Sequence, residues 1–268
     1  MQNSTKTLLS KVPEITIYFW IIKILCTTVG ETAADYLNMT LGFGLTNTTY
    51  VMGAILIAFL VAQFRMKKYN PSTYWMVVVL LSVVGTLITD NLSDNLGVPL
   101  VASTIGFSIA LAITFFIWYK SEKTLSIHSI RTSRRESFYW LAILFTFALG
   151  TAGGDLVAEQ FAIGYFPSAL IFAGIIATIA FAHYKFKLNA VLAFWLAYIL
   201  TRPLGASIGD FMSQATSDGG LNLGTIGTSA IFLTAIACLV MYISYSKVDS
   251  PKLLKPVAIT ADEEDGVV

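Results

Sequence analysis

Long apolar runs alternate with short polar breaks along nearly the whole chain. Eight runs reach the length of about 20 mostly apolar residues that a membrane helix needs: 15–38, 47–66, 72–95, 98–119, 137–160, 166–185, 189–213 and 222–246. Inside a bilayer the backbone finds no water to bond to, so each run is predicted to be a helix. The expected fold is all-α, a polytopic bundle of eight transmembrane helices over residues 15–247. A segment 1–14 precedes the bundle and a tail 248–268 follows, its acidic end ITADEEDGVV read as disordered. The opening run is too long for a signal-peptide core, and no small-x-small site ends it.

Charged residues then orient the bundle. Fifteen of the 17 Lys and Arg flank the bundle or fall in the breaks after even-numbered runs, from Lys6 and Lys11 through Arg131, Arg134 and Arg135 to Lys252 and Lys255. The remaining two, Lys23 and Arg202, lie within runs. Basic residues stay on the cytoplasmic side, which predicts cytoplasmic chain ends in a cell inner membrane. Composition agrees, with 56% hydrophobic and only 12% charged residues, against about 25% charged in a soluble domain. A water-soluble core of this length cannot hide so much apolar surface. A soluble enzyme is thereby excluded, as is a disordered or fibrous chain. The net charge of +1 gives no case for nucleic acid. Cys26 and Cys238 sit in apolar runs, without a disulfide framework or zinc motif. The expected partners are the lipid bilayer and a small ion or solute; self-association is left open.

A repeat runs through the odd-numbered runs. Trp20, Trp75, Trp140 and Trp195 open them, glycine follows ten residues later (Gly30, Gly85, Gly150, Gly205), and aspartate five after that (Asp35, Asp90, Asp155, Asp210). W-x9-G-x4-D thus occurs four times without a gap. Each unit closes on an aromatic and a basic residue: Phe64-Arg65, Tyr119-Lys120, Tyr184-Lys185, and Tyr245 near Lys247. Duplication accounts for such fixed spacing. The units, about 15–68, 72–120, 137–187 and 189–247, each hold two helices. All four therefore share one orientation, as four parallel helical hairpins rather than inverted repeats. On the four Trp and the segments GETAAD, GTLITD, GTAGGD and GASIGD, the chain resembles a family of bacterial integral membrane proteins. That family consists of four tandem repeats of unknown function, each with two membrane helices and a characteristic Trp. The resemblance covers about residues 15–247; it implies architecture and no activity.

Candidate chemistry lies in the acids. A charge at mid-membrane costs about 2.5–3.5 kcal/mol on insertion scales, yet Asp35, Asp90, Asp155 and Asp210 recur at equivalent places. Glu31, Asp94 and Glu159 bring the acids on these helices to seven. Asp94 and Glu159 stand four residues beyond their repeat's aspartate, hence on the same helix face; Gln214 holds that place in the fourth unit and Met39 in the first. Fifteen residues past each Trp is roughly 22 Å of helix, which puts the aspartates in the outer half of the membrane. Only Lys23 and Arg202 are available to pair with them. The rest must be protonated, solvated or bound to a cation. The plainer alternative is a set of wet helix ends, and the recurrence at fixed spacing argues against it for the four aspartates.

Other repeated residues have structural readings. Glycines let membrane helices approach closely, the favoured role here over a broken, ion-coordinating backbone. The four Trp are expected to anchor at the interface. Lys23, three residues past Trp20, is expected to snorkel to the cytoplasmic interface. Arg202 precedes Pro203, where the seventh helix is expected to kink. It lies two turns from Asp210, as a tethered counter-ion or a structural salt bridge.

Ligand chemistry narrows the ion. Carboxylates with hydroxyls (Thr32, Thr86, Thr89, Thr151, Ser207) and amides (Asn91, Gln160) suit hard ions such as Mg²⁺, Ca²⁺ or Mn²⁺. Soft-metal sites want the thiolate or imidazole that is missing at this depth. The expected function is a secondary transporter or exporter of a cation, a divalent metal ion foremost, with proton exchange coupling the cycle. The metal would be held by Asp35, Asp90, Asp155 and Asp210, with Glu31, Asp94, Glu159 and Arg202 as further binding candidates. No resident cofactor and no catalytic residue is expected. A proton-coupled carrier of a small organic solute is the alternative, its pocket lined by Tyr36, Phe43, Tyr50, Tyr165, Phe166 and Phe211. An intramembrane aspartyl enzyme is a third class, which the fourfold recurrence disfavours because catalysis needs two acids.

Overall fold

The computed structural model describes residues 10–251. Lys6, Lys252, Lys255 and the acidic end of the tail lie outside the described residues. Among these residues the chain is helical without strands: α1 (Ile17–Asp35), α2 (Leu45–Arg65), α3 (Pro71–Asp90), α4 (Leu100–Glu122), α5 (Ser133–Asp155), α6 (Tyr165–Phe186), α7 (Ala190–Ser213) and α8 (Gly224–Ser246). All eight are long and apolar enough to cross a membrane, and their bounds follow the predicted runs to within a few residues. Each odd helix starts on a side chain that accepts from its first turn: Thr16, Asn70, Thr132 and Asn189. Such caps satisfy backbone donors that the helix itself leaves unpaired. The helix α7 runs through Pro203 as one element, where a kink was expected.

Odd and even helices play different parts. Over their most apolar stretches the odd helices are 56–78% buried and the even ones 17–22%. The odd helices form an inner ring in the order α1, α3, α5, α7 and back to α1. Each even helix lies outside the ring, chiefly against the odd helix of the next repeat: α2 on α3, α4 on α5, α6 on α7, and α8 on α1. The hairpin expected from connectivity is therefore not the packing unit. One repeat's outer helix clasps its successor, and the last clasps the first.

The repeated glycines are where the ring touches itself. A Cβ on Gly30 would stand 1.9 Å from Ser82 Oγ, on Gly85 2.6 Å from Phe147 Cβ, on Gly150 2.4 Å from Arg202 Cγ, and on Gly205 1.9 Å from Thr27 Oγ1. Ser82, Phe147, Arg202 and Thr27 each occupy the place three residues before their own repeat's glycine. Every junction is thus the same contact, glycine of one repeat against that position in the next. Small residues buy this close approach, as expected of membrane helices.

At the start of the odd helices the ring is filled by aromatic rings. Trp75, Trp140 and Trp195 are 2–4% exposed and meet Phe19, Tyr74, Tyr139, Phe194 and Tyr198 in edge and tilted contacts. The expected interface anchors are core residues in three cases of four; only Trp20 stays partly exposed. The first and last described segments and the even-to-odd loops meet on this same face. Lys11 N donates to Ile130 O, Tyr69 N to Ser10 O, and Glu14 N to Asp249 O at 2.9 Å. Beneath them Lys11 Nζ pairs with the fully buried Glu136 at 2.7 Å, which also accepts from Gln63 Nε2 at 3.2 Å.

Candidate functional site

Asp35, Asp90 and Asp155 are each the last residue of an α-helical stretch. The chain then widens into a π-helical turn: Tyr36–Thr40, Asn91–Asn95 and Leu156–Gln160. The closing bonds run five residues back, from Leu41 N to Tyr36 O, Leu96 N to Asn91 O and Phe161 N to Leu156 O. Such turns are rare and concentrate at functional places. The fourth repeat departs: α7 carries Asp210 within its last turn and ends at Ser213.

These four helix ends surround one cavity of about 240 Å³, on the far side of the ring from the first and last described segments. All four repeated aspartates line it, together with Glu31, Asp94 and Glu159, and Asn38, Ser93, Gln214 and Leu100 complete the wall. Seven acids from four helices therefore converge on a single space. They are graded in depth. Glu31 and Asp210 are 7–8% exposed, Asp35, Asp90 and Asp155 half-buried, and Asp94 and Glu159 exposed. Near the rim Asp94 accepts from Ser93 Oγ at 2.9 Å and Glu159 from the Tyr165 hydroxyl at 3.4 Å. Among the described residues no group of three or more acids, histidines or cysteines is arranged to hold a metal ion.

Arg202 makes the floor. Its guanidinium is fully buried. Nη2 donates to Glu31 Oε2 at 2.6 Å, to Thr151 Oγ1 at 2.8 Å and to Thr86 Oγ1, while Nη1 donates to Thr27 O at 3.3 Å. Glu31, Thr86 and Thr151 are the residues directly after the repeated glycine in the first three units. One guanidinium thus sits on the axis and ties the other three repeats together. Its ion pair is with Glu31, and none of the four repeated aspartates is paired with it.

Lys23 overturns its expected place. It is fully buried, with Nζ 4.3 Å from the centre of the Phe147 ring and 4.2 Å from that of Tyr198, and has no hydrogen-bond partner among the described residues. It does not snorkel, because the aromatic rings closing the ring's end stand between it and the interface.

Several expected oxygen donors turn away from the cavity. Thr86 and Thr151 serve Arg202, Thr89 donates to Gly85 O and Ala148 O, and Asn91 donates to Thr49 and Leu87 O. None of the six aromatics expected to line an organic-solute pocket is in the wall. Of the neutral lining residues that sequence reading did not single out, Leu100 opens α4, and the polar two, Asn38 and Ser93, stand three beyond their repeat's aspartate. That spacing was the available signal.

Comparison with known proteins bears on this architecture. No curated protein and no solved structure matches the chain. The family model described as Repeat of Unknown Function (DUF347) matches four times in tandem, at residues 18–69, 73–124, 138–189 and 193–249. Those matches begin two residues before each repeated Trp and span most of the chain, so the protein belongs to the DUF347 repeat family.

Proposed function

We propose that this protein is a secondary transporter of a cation, a divalent metal ion foremost, bound in the acid-lined cavity. It resides in the cytoplasmic membrane with both chain ends in the cytoplasm, as the distribution of basic residues supports. One observation carries the reading: seven carboxylates of four repeats share one cavity whose only basic neighbour among the described residues, Arg202, already pairs with Glu31. That excess negative charge attracts a cation or protons. A space of about 240 Å³ admits an ion with part of its water shell, the state in which Mg²⁺ in particular binds protein carboxylates. A wall of acids, amides and the Ser93 hydroxyl, with Leu100 as its one apolar residue, favours a hard ion over an organic solute.

The test is flux into proteoliposomes for Mg²⁺, Ca²⁺, Mn²⁺ and Zn²⁺ with a pH dye inside. Wild type is expected to move at least one ion, and Asp35→Asn/Asp155→Asn to lose at least tenfold of that rate. Undiminished flux in the double variant would sink the reading.

A further inference from the structure

We propose that Lys23 is the proton-carrying group that couples cation movement to an opposing proton. The inference rests on the cation-transport reading and deepens it. The ring has one axis, and two basic side chains lie on it below the acids. Arg202 is compensated, since Glu31 holds it at 2.6 Å. Lys23 is not. Its Nζ, fully buried, faces two aromatic rings and makes no hydrogen bond among the described residues.

The groups acting on it are Cys26 on its own helix, Arg202 and Tyr198 on α7, and Phe147 on α5; α3 and α8 add no charged group to these. The equivalent places in the other repeats are Val78, Ile143 and Tyr198, so the amine is peculiar to one unit. A cation crossing the ring past a protonated Nζ meets a charge with no ion-pair partner among the described residues, and like charges in a dry interior exclude each other strongly. An amine, unlike a guanidinium, can shed its charge when buried. Passage therefore requires that one N–H bond at Nζ break. The proton passes from Nζ to a cavity carboxylate that the cation vacates, forming a carboxyl O–H whose proton the next cation displaces to the cavity side, and Nζ is recharged by a proton from the side to which the cation departs. Each cycle so moves one proton opposite to the cation. On the side of the aromatic layer, Tyr198 packs through Trp195 on Tyr139, whose hydroxyl bonds to that of Tyr74, and Tyr69, which packs on Tyr74, donates to Asp249; the Tyr198 hydroxyl itself has no hydrogen-bond partner among the described residues.

The experiment uses full-length protein in proteoliposomes with Mn²⁺, Mg²⁺ and Ca²⁺ as probes and an internal pH dye. Lys23→Met, apolar and of similar length, is expected to keep downhill cation flux within about threefold of wild type while losing the opposing proton. Lys23→Arg, which keeps its charge, is expected to lose flux at least tenfold. A merely structural lysine would lower both fluxes together in Lys23→Met. Proton counter-movement at the wild-type ratio in Lys23→Met, or coupled transport by Lys23→Arg, would overturn the proposal while leaving the transport reading intact. A wild type that moves none of the probes, or an Asp35→Asn/Asp155→Asn variant that moves them normally, would overturn the transport reading and Lys23's role with it.

Discussion

Gly205 shows how much one missing methyl group decides. Its Cβ would stand 1.9 Å from Thr27 Oγ1 and 3.0 Å from Thr28 N, so α7 can approach α1 only without it. Gly53, on the outer helix α2, has nothing within 4 Å of the same point. Thermal unfolding in detergent should separate the two. Gly205→Ala is expected to cost about 1–3 kcal/mol through overpacking, whereas Gly53→Ala is neutral or stabilising by up to about 1 kcal/mol of helix propensity. An unshifted midpoint for Gly205→Ala would mean the ring has slack. The glycines and acids were legible in the chain, because small residues and charges inside apolar runs have few other reasons to recur. Lys23 was not. Three residues from a Trp, it fits a snorkelling lysine as well as a caged one, and only the closure of the aromatic layer distinguishes them. Glu136 was hidden for a related reason: near a helix start a glutamate reads as a surface acid until its partner Lys11 is brought over from 125 residues away.

At the scale of elements, the eight spans followed from hydropathy alone, since hydrocarbon leaves the backbone few options. The π-helical turns after Asp35, Asp90 and Asp155 did not, because one extra residue in a turn leaves no mark on hydropathy. Nor did the pairing of each outer helix with the following repeat, for apolar outer faces are compatible with either neighbour. The segment after α8 supplies a further test. Asp249 is 1% exposed; its Oδ2 accepts from the Tyr69 hydroxyl and its Oδ1 has no partner among the described residues. Burial raises the carboxyl of Asp249 above its ordinary value, the Tyr69 bond opposing this only in part. A raised acid favours folding while protonated, so its stabilisation is present below the ordinary aspartate value, about 3.9, and is lost as pH climbs through the raised one. Asp249→Asn keeps an acceptor for Tyr69 and never ionises. Its unfolding midpoint is expected above wild type at pH 8, with the gap closing toward pH 4; a gap independent of pH would contradict this account.

The whole molecule is a closed ring with a broken symmetry. Four equivalent junctions hold it, while Arg202 and Lys23 differ from the residues at the corresponding places of the other repeats. Equivalence supplies the acid-lined cavity; the two exceptions place basic side chains inside the ring. The same closure has a consequence for chain order. Because α8 covers α1 as α2 covers α3, and Glu14 N lies 2.9 Å from Asp249 O, no junction is marked as the beginning. A circular permutant with residues 251 and 10 joined by a short linker, and new termini opened between 66 and 67, is expected to give a monodisperse protein whose unfolding midpoint lies near that of wild type. Size-exclusion chromatography and thermal unfolding would check it, and an aggregated permutant would show that synthesis must start where it does. If it folds, the four repeats are interchangeable as starting points, and the order in which a ribosome delivers them is a matter of history rather than of packing.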